Sequence, residues 1–285
     1  MDDILKKIRD ENPEYINNNI IKKINGQIKQ WGKNIPSKKT YINNFLEKYK
    51  NIHSNDIGII FFAGPSLNKT SIKSIVEHVK NENPGKNIIC YGCSRCYMKT
   101  EMLQYLNYYS FGDGYPDPKC NKYKIEIDDF LKKNPNIISF VSSYRDGKVA
   151  KGYTEEIISN LPNNATPIDT YGLYEIYKDI SKYPMTNHFG GPHMTQIFLY
   201  MGIKKIYIVG SDSTKSAVHN RKKGWNIQNH TGYFYNHDDS KQTVDPHYIY
   251  WWIRIKQFIE KEYPESEIIS INPVGLKGIF KDVIL

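Results

Sequence analysis

The sequence predicts an α/β domain: a mostly parallel sheet with helices on both faces, a helical N-terminal extension, and a lid-like loop region. Three observations carry this reading. Short apolar runs are continuous rather than alternating, as in strands buried on both faces. Amphipathic stretches of helical spacing separate them, as in repeated strand–helix–strand units. Polar turns rich in Gly, Ser and Asp follow the runs directly, at the ends where open α/β sheets bind ligands.

Residues 1–50 read as the helical extension, apart from a main domain over 51–285. Leu5 and Ile8, then Tyr15, Ile16, Ile20, Ile21, Ile24 and Ile28, recur at helix-like spacing, with breaks at Asn12-Pro13 and at 34–36. Strands are predicted at IGIIFFA (57–63), KNIICY (86–91), NIISFVSS (136–143), KKIYIVGS (204–211) and SEIISIN (266–272). Helices are predicted at SIKSIVEHVKN (71–81), MTQIFLYMG (194–202) and IYWWIRIKQFIEKEY (249–263). Residues 95–135 and 213–246 read as long irregular loops, which in compact domains are usually functional.

The 285 residues suit one large domain, and 39% hydrophobic with 13% aromatic content supplies a core. No apolar run reaches the roughly 18 residues of a membrane helix, and the charged start MDDILKKIRDENPEY lacks a signal-peptide core. The expected setting is the cytoplasm, with reduced cysteines. A net charge of +9 favours an anionic partner: a phosphate-bearing small molecule, a nucleic acid or an acidic membrane surface. The lysines are scattered, however, which also fits a plain solvated surface.

The residues that follow the strands are the informative ones. Gly64-Pro65-Ser66 ends the first strand: glycine permits close backbone approach, and the N–H groups of a following helix suit a phosphate. The pattern is neither GxGxxG nor a Walker A loop, and an ordinary βα turn with a helix cap reads the same way. Asp212, Ser213 and Thr214 follow the fourth predicted strand, where Asp212 can bind a ribose or cap a helix. Gly190-Gly191 opens a helix with bare backbone N–H groups, flanked by His188 and His193. His247 stands where a loop meets a helix; Arg221 lies in a basic, hydroxyl-rich stretch.

Cys90, Cys93, Cys96 and Cys120 offer a competing reading. Four thiolates in about thirty residues could hold zinc or an iron–sulfur cluster. The absence of a second Cys-x-x-Cys and the strand position of Cys90 favour unligated thiols beside a nucleotide cleft. A nucleic-acid surface built on the tyrosines with Trp225, Trp251 and Trp252 is the weaker alternative, since no nucleic-acid motif is present.

Stretches 57–67, 187–212 and 247–275 together resemble the bacterial sialyltransferases of glycosyltransferase family 42, and more loosely the related bacterial glycosyltransferases. Their order carries the resemblance: Gly-Pro-Ser-Leu after a strand, a Gly-x-x-Met helix, a strand ending Gly-x-Asp, a lone histidine, and a helix ending FIEKEY. The resemblance implies a Rossmann-like domain with a lid, which transfers sialic acid or a related sugar from a CMP-linked donor to a glycan hydroxyl with inversion. It implies no required cofactor or metal. It places the general base on His247 and the donor site on Gly64, Pro65, Ser66 and Gly191, with Gly190, Asp212, Ser213 and Thr214 adjoining. Departures fall in the donor site: Ala63 replaces an asparagine, Gly190 a serine and Thr214 a phosphate-binding tyrosine. Tyr233 or Tyr235, with Arg221, are the candidates to stabilise phosphate in their place. Alternatives are a nucleotide- or phosphate-ester-binding protein of this fold without transfer, and the cysteine-cluster module. Peripheral contact at the inner membrane face fits the charge.

Overall fold

The computed structural model describes residues 44–68, 70–93, 96–111, 124–142, 144–145, 148–149, 159–168, 170–171, 176–183, 185–186, 190–212, 214–216, 242–244 and 246–285, together with positions 6, 9–10, 18–19 and 21–22. Eight strands form one sheet: β1 (Ile57–Phe61), β2 (Ile88–Cys93), β3 (Leu106–Phe111), β4 (Ile138–Ser142), β5 (Ala165–Ile168), β6 (Lys205–Val209), β7 (Glu267–Ile271) and β8 (Lys281–Val283). All pairings are parallel, in the order β8-β7-β6-β1-β2-β3-β4-β5. The chain lays down β1, winds outward to β5, then returns to the other side of β1 with β6. The winding therefore reverses between β1 and β6. The loops leaving those two strands run to opposite faces of the sheet, at the kind of reversal where open α/β sheets hold ligands.

Helices cover both faces. On one face, α1 (Ile72–Glu82) and α2 (Lys124–Lys133) pack against the sheet through Ile72, Ile75, Val79, Ile127, Phe130 and Leu131. Ser71 caps α1 by accepting from the Ser74 N–H at 3.4 Å. On the other face lie α3 (Gly190–Tyr200) and α4 (Pro246–Glu262). Every residue of α3 from Gly191 to Tyr200 is buried, the polar His193, Thr195 and Gln196 among them, and the Thr195 hydroxyl donates to the Gly191 carbonyl at 2.9 Å. Among the described residues, no helix is long and apolar enough to cross a membrane.

The five predicted strands are present, with boundaries shifted by up to two residues at each end, but three more belong to the same sheet, and short two-stranded pairs lie outside it. The expectation of an irregular loop over 95–135 is overturned: β3 lies inside it, and α2 occupies its end. Polar residues hid β3. Asn107 is the extra residue where the register shifts, and its side chain accepts from the Cys90 N–H at 2.9 Å, replacing a ladder bond. Ser110 meets the Tyr91 hydroxyl at 2.5 Å. β5 contains Pro167, which is tolerated because β5 is an edge strand. β8 has three residues.

The helix expected at 194–202 begins four residues earlier, because Gly190, Gly191 and Pro192 fill a first turn where N–H groups need no partner. The helix expected at 249–263 likewise begins at Pro246. Most of the predicted N-terminal extension lies outside the described residues; positions 6, 9–10, 18–19 and 21–22 are helical. Asn44–Tyr49 forms a tight helical turn joined to the core: Leu46 and Tyr49 are buried, and the Tyr49 hydroxyl meets Thr166 Oγ1 at 2.9 Å. Trp251 and Trp252 are both fully buried, so they offer no stacking surface to a nucleic acid. Trp225 lies outside the described residues.

Glycine at 58 sets how closely α3 approaches the sheet. A Cβ there would lie 2.7 Å from two ring carbons of Phe198. Gly58→Ala is expected to destabilise the protein by about 1–3 kcal/mol through overpacking, measured by urea unfolding. A loss below about 0.5 kcal/mol, the range of ordinary surface substitutions, would contradict this close approach.

Candidate functional site

The carboxyl ends of β1 and β6 are fastened to each other. Phe62 N–H donates to the Val209 carbonyl and Gly64 N–H to the Gly210 carbonyl, both at 2.8 Å. A Cβ on Gly64 would lie 2.1 Å from the Gly210 oxygen and 2.7 Å from Asp212 Cγ, so only glycine fits. Gly210 has φ +71°, and a Cβ on it would lie 2.5 Å from the Phe62 oxygen. These two glycines let the two loops touch backbone to backbone.

Asp212 completes the junction. Its Oδ2 accepts from the Ser66 N–H at 2.8 Å, and its Oδ1 accepts from the Ser66 hydroxyl. Both residues are buried, at 4% and 6% exposure, so the carboxylate depends on these donors to offset its lost hydration. The Asp212 carbonyl accepts from the Gly275 N–H at 2.9 Å, which adds the loop after β7. Asn272 in that loop donates to Thr70 Oγ1 at 2.7 Å. Ser66 thus directs its N–H and hydroxyl to Asp212, the framing role that a βα turn plays.

Around this junction the edge carries positive groups. Gly190 and Gly191 start α3, and Gly190 lies against Cys93 at the end of β2, where a Cβ would sit 3.2 Å from the thiol sulfur. The N-terminus of α3 therefore sits at the carboxyl edge, with the positive end of its dipole there. Lys99, which sequence reasoning missed, reaches the same edge from the β2–β3 connection. Its Nζ donates to the Leu67 carbonyl at 2.8 Å. The only sequence signal for it was its place six residues after a strand end.

Pro65 lies in the short helical turn Pro65–Asn68. Thr214 begins a two-stranded antiparallel ribbon, Thr214–Ser216 with Gln242–Val244, in which Thr214 pairs with Val244. The predicted loop 213–246 is thus closed at its base. Pairing at Val244 returns the chain to the end of β6, and Trp252 Nε1 donates to Ser211 Oγ at 3.1 Å. The backbone of His247, in the first turn of α4, is therefore brought towards the edge that holds Asp212. Ser213, Arg221, Tyr233, Tyr235, Cys120, His188 and the histidines at 219, 230 and 237 lie outside the described residues. His193 is buried within α3.

Cys90, Cys93 and Cys96 are all buried as free thiols, so they line no open cleft. Cys90 and Cys93 belong to the cores on opposite faces of the sheet. Burial pushes the Cys90 thiol up to about 12, and it also pushes Cys96 well above its ordinary value. Cys96 Sγ donates to the Phe61 carbonyl at 3.3 Å. Among the described residues no three His, Cys, Asp or Glu side chains converge to hold a metal.

No protein-family model matches this chain, and no curated protein does.

Two expectations follow. Asp212→Ala leaves the Ser66 N–H buried without its acceptor and is expected to cost about 1–3 kcal/mol. A double-mutant cycle of Ser66→Ala with Asp212→Asn should give a coupling of about 0.5–3 kcal/mol; additivity would show that the pair is not a unit. Separately, a thiol raised to about 12 is almost wholly protonated at pH 8. Iodoacetamide at that pH should leave Cys90 unmodified in the folded protein and label it after guanidinium unfolding, as read by peptide mass spectrometry.

Proposed function

We propose that this protein is a glycosyltransferase that moves a sugar, sialic acid or a relative, from a CMP-linked donor to a glycan hydroxyl with inversion. The observation that supports it best is the junction of Gly64, Ser66 and Asp212 at the winding reversal, with the α3 N-terminus at the same edge. The nature of the reaction comes from the sequence resemblance to the family 42 sialyltransferases.

In this reading the acceptor hydroxyl gives its proton to His247 as its oxygen bonds to the anomeric carbon. The bond from that carbon to the phosphate oxygen breaks, and CMP leaves with the electron pair. The backbone N–H groups of α3 face the phosphate charge, and Arg221 with Tyr233 or Tyr235 stabilises it as it develops. Ser66 and Asp212 act on the donor indirectly, by holding the turn rigid. No step requires a metal.

Thermal shifts with CMP, UDP and GDP test the donor. CMP at millimolar concentration should raise the melting temperature most, by mass action on the folded state; no shift with any nucleotide would remove the reading. His247→Ala should lower kcat by roughly 10²–10⁴-fold with CMP affinity retained. Retention of more than about a tenth of the rate would place the base elsewhere. If CMP binds but no transfer is found with any acceptor, the related reading of a nucleotide-binding protein without transfer takes its place.

A further inference from the structure

We infer that Lys99 is the cation that receives the donor's phosphate, so the edge selects nucleotides over nucleosides through a residue of the β2–β3 connection. The inference rests on the nucleotide-donor reading of this edge and adds a residue that the sequence resemblance does not mark.

An ammonium has three N–H donors. Lys99 directs one to the Leu67 carbonyl at 2.8 Å, within the turn that follows Gly64-Pro65-Ser66. A second faces Glu101 at 3.4 Å, a long contact to a side chain that is 51% exposed. Among the described residues the third has no partner. The Lys99 side chain is only 17% exposed. A cation this far withdrawn from water gains most from an anion brought to it, since its Coulomb interaction is little screened. Its own neighbours supply little compensation: the Leu67 contact is to a neutral carbonyl, Glu101 stands in solvent, and the Asp212 carboxylate of the turn is engaged by Ser66.

The placement fits a phosphate rather than a base or a sugar. The Leu67 carbonyl anchors the ammonium beside the turn, while Cys96, three residues before Lys99, is tied to the end of β1 through the Phe61 carbonyl. The connection is thus held at two points of the β1 end. Across the same edge stands the N-terminus of α3, against Cys93 of the neighbouring strand. A helix N-terminus and a withdrawn ammonium, both at the carboxyl edge of the sheet, both favour negative charge there.

Calorimetric titration of CMP and of cytidine into the full chain tests this. For the wild type, CMP should bind more tightly than cytidine. Lys99→Met should weaken CMP by about ten-fold or more, the scale of one charge-assisted contact, while cytidine changes by less than about two-fold. Lys99→Arg should keep most of the preference for CMP. Lys99→Gln retains a donor for the Leu67 carbonyl without the charge; it carries the test if Lys99→Met fails to fold, and should show the same selective loss. If CMP and cytidine weaken together in Lys99→Gln, or if CMP affinity is unchanged, Lys99 is only a strut and the inference is overturned while the donor reading stands. If the wild type binds no nucleotide, both fall together.

Discussion

A buried carboxylate, Asp212, holds two donors of Ser66 across the gap between β1 and β6. Those strands flank the place where the chain stops winding one way and starts winding the other. The loop after β1 runs to α1 on one face; the loop after β6 runs to the ribbon and α4 on the opposite face. Divergent loops of this kind leave a gap that backbone pairing alone does not close. Here Gly64 and Gly210 allow the main chains to touch, and the carboxylate locks the contact. The Gly275 N–H and the Thr70–Asn272 bond extend the same lock to β7. Trp252 joins α4 through Ser211 and packs edge-on against Phe62, with ring centres 5.7 Å apart. Ser211 and Phe62 both neighbour the clamp, so the position of α4, and of His247 at its start, depends on the clamp holding.

The opposite edge is locked by different chemistry. His53 bonds Asp56 at 2.7 Å and the Tyr108 hydroxyl at 2.8 Å, and Asn87 donates to the other Asp56 oxygen at 3.0 Å. These residues precede β1 and β2 or lie in the first half of β3, so they tie three central strands near their amino ends. The core between the two edges is rich in tyrosine. Each buried ring needs a partner for its hydroxyl: Tyr91 finds Ser110, Tyr207 finds Asn83, Tyr109 accepts from the Tyr97 N–H, and Tyr49 finds Thr166. Burial raises the hydroxyls of Tyr91 and Tyr109 well above their ordinary value, so they remain neutral donors and acceptors at any physiological pH. A tyrosine-filled core of this kind is specified by pairs rather than by volume alone, because each hydroxyl left without a partner costs its desolvation.

This explains which parts of the fold were legible. β1, β6 and β7 read plainly because their runs are Ile- and Val-rich and lie inside the sheet. β3 did not, because its burial is carried by Tyr108 and Tyr109 and its ladder is completed by the Asn107 side chain, both of which look polar in a sequence. β5 and β8 did not, because edge strands are short and tolerate proline and charge. α1 was legible from its 3-4 spacing, and Gly190-Gly191 was legible as a helix start, although the apolar run that marks α3 begins only at Met194. At the site, position was legible and role was only half so. Gly64, Ser66 and Asp212 follow strands that meet, and the sequence placed them correctly at the edge. That Asp212 and Ser66 serve each other could not be read, since the pairing spans 146 residues and depends on strand order. Lys99 was hidden for the same reason: its relation to the first turn exists only once β2 lies beside β1.

The clamp also decides how a Gly-Pro-Ser turn should be interpreted in this chain. A hydroxyl and an N–H at a strand end look like phosphate ligands until their partner is known. Here the partner is an internal carboxylate, and a carboxylate inside the crevice would repel a phosphate if its charge were not met. Ser66 meets it with two donors, and the burial of both residues keeps that charge away from the edge. The clamp therefore makes the proposed anion site compatible with a neighbouring aspartate. In the proposed reading the attraction comes from α3 and from Lys99, whose Nζ is anchored on the Leu67 carbonyl of the turn. In the proposed reaction the turn is the frame of the donor site, and the groups that touch the phosphate arrive from α3, from the β2–β3 connection and from the segment closed by the ribbon.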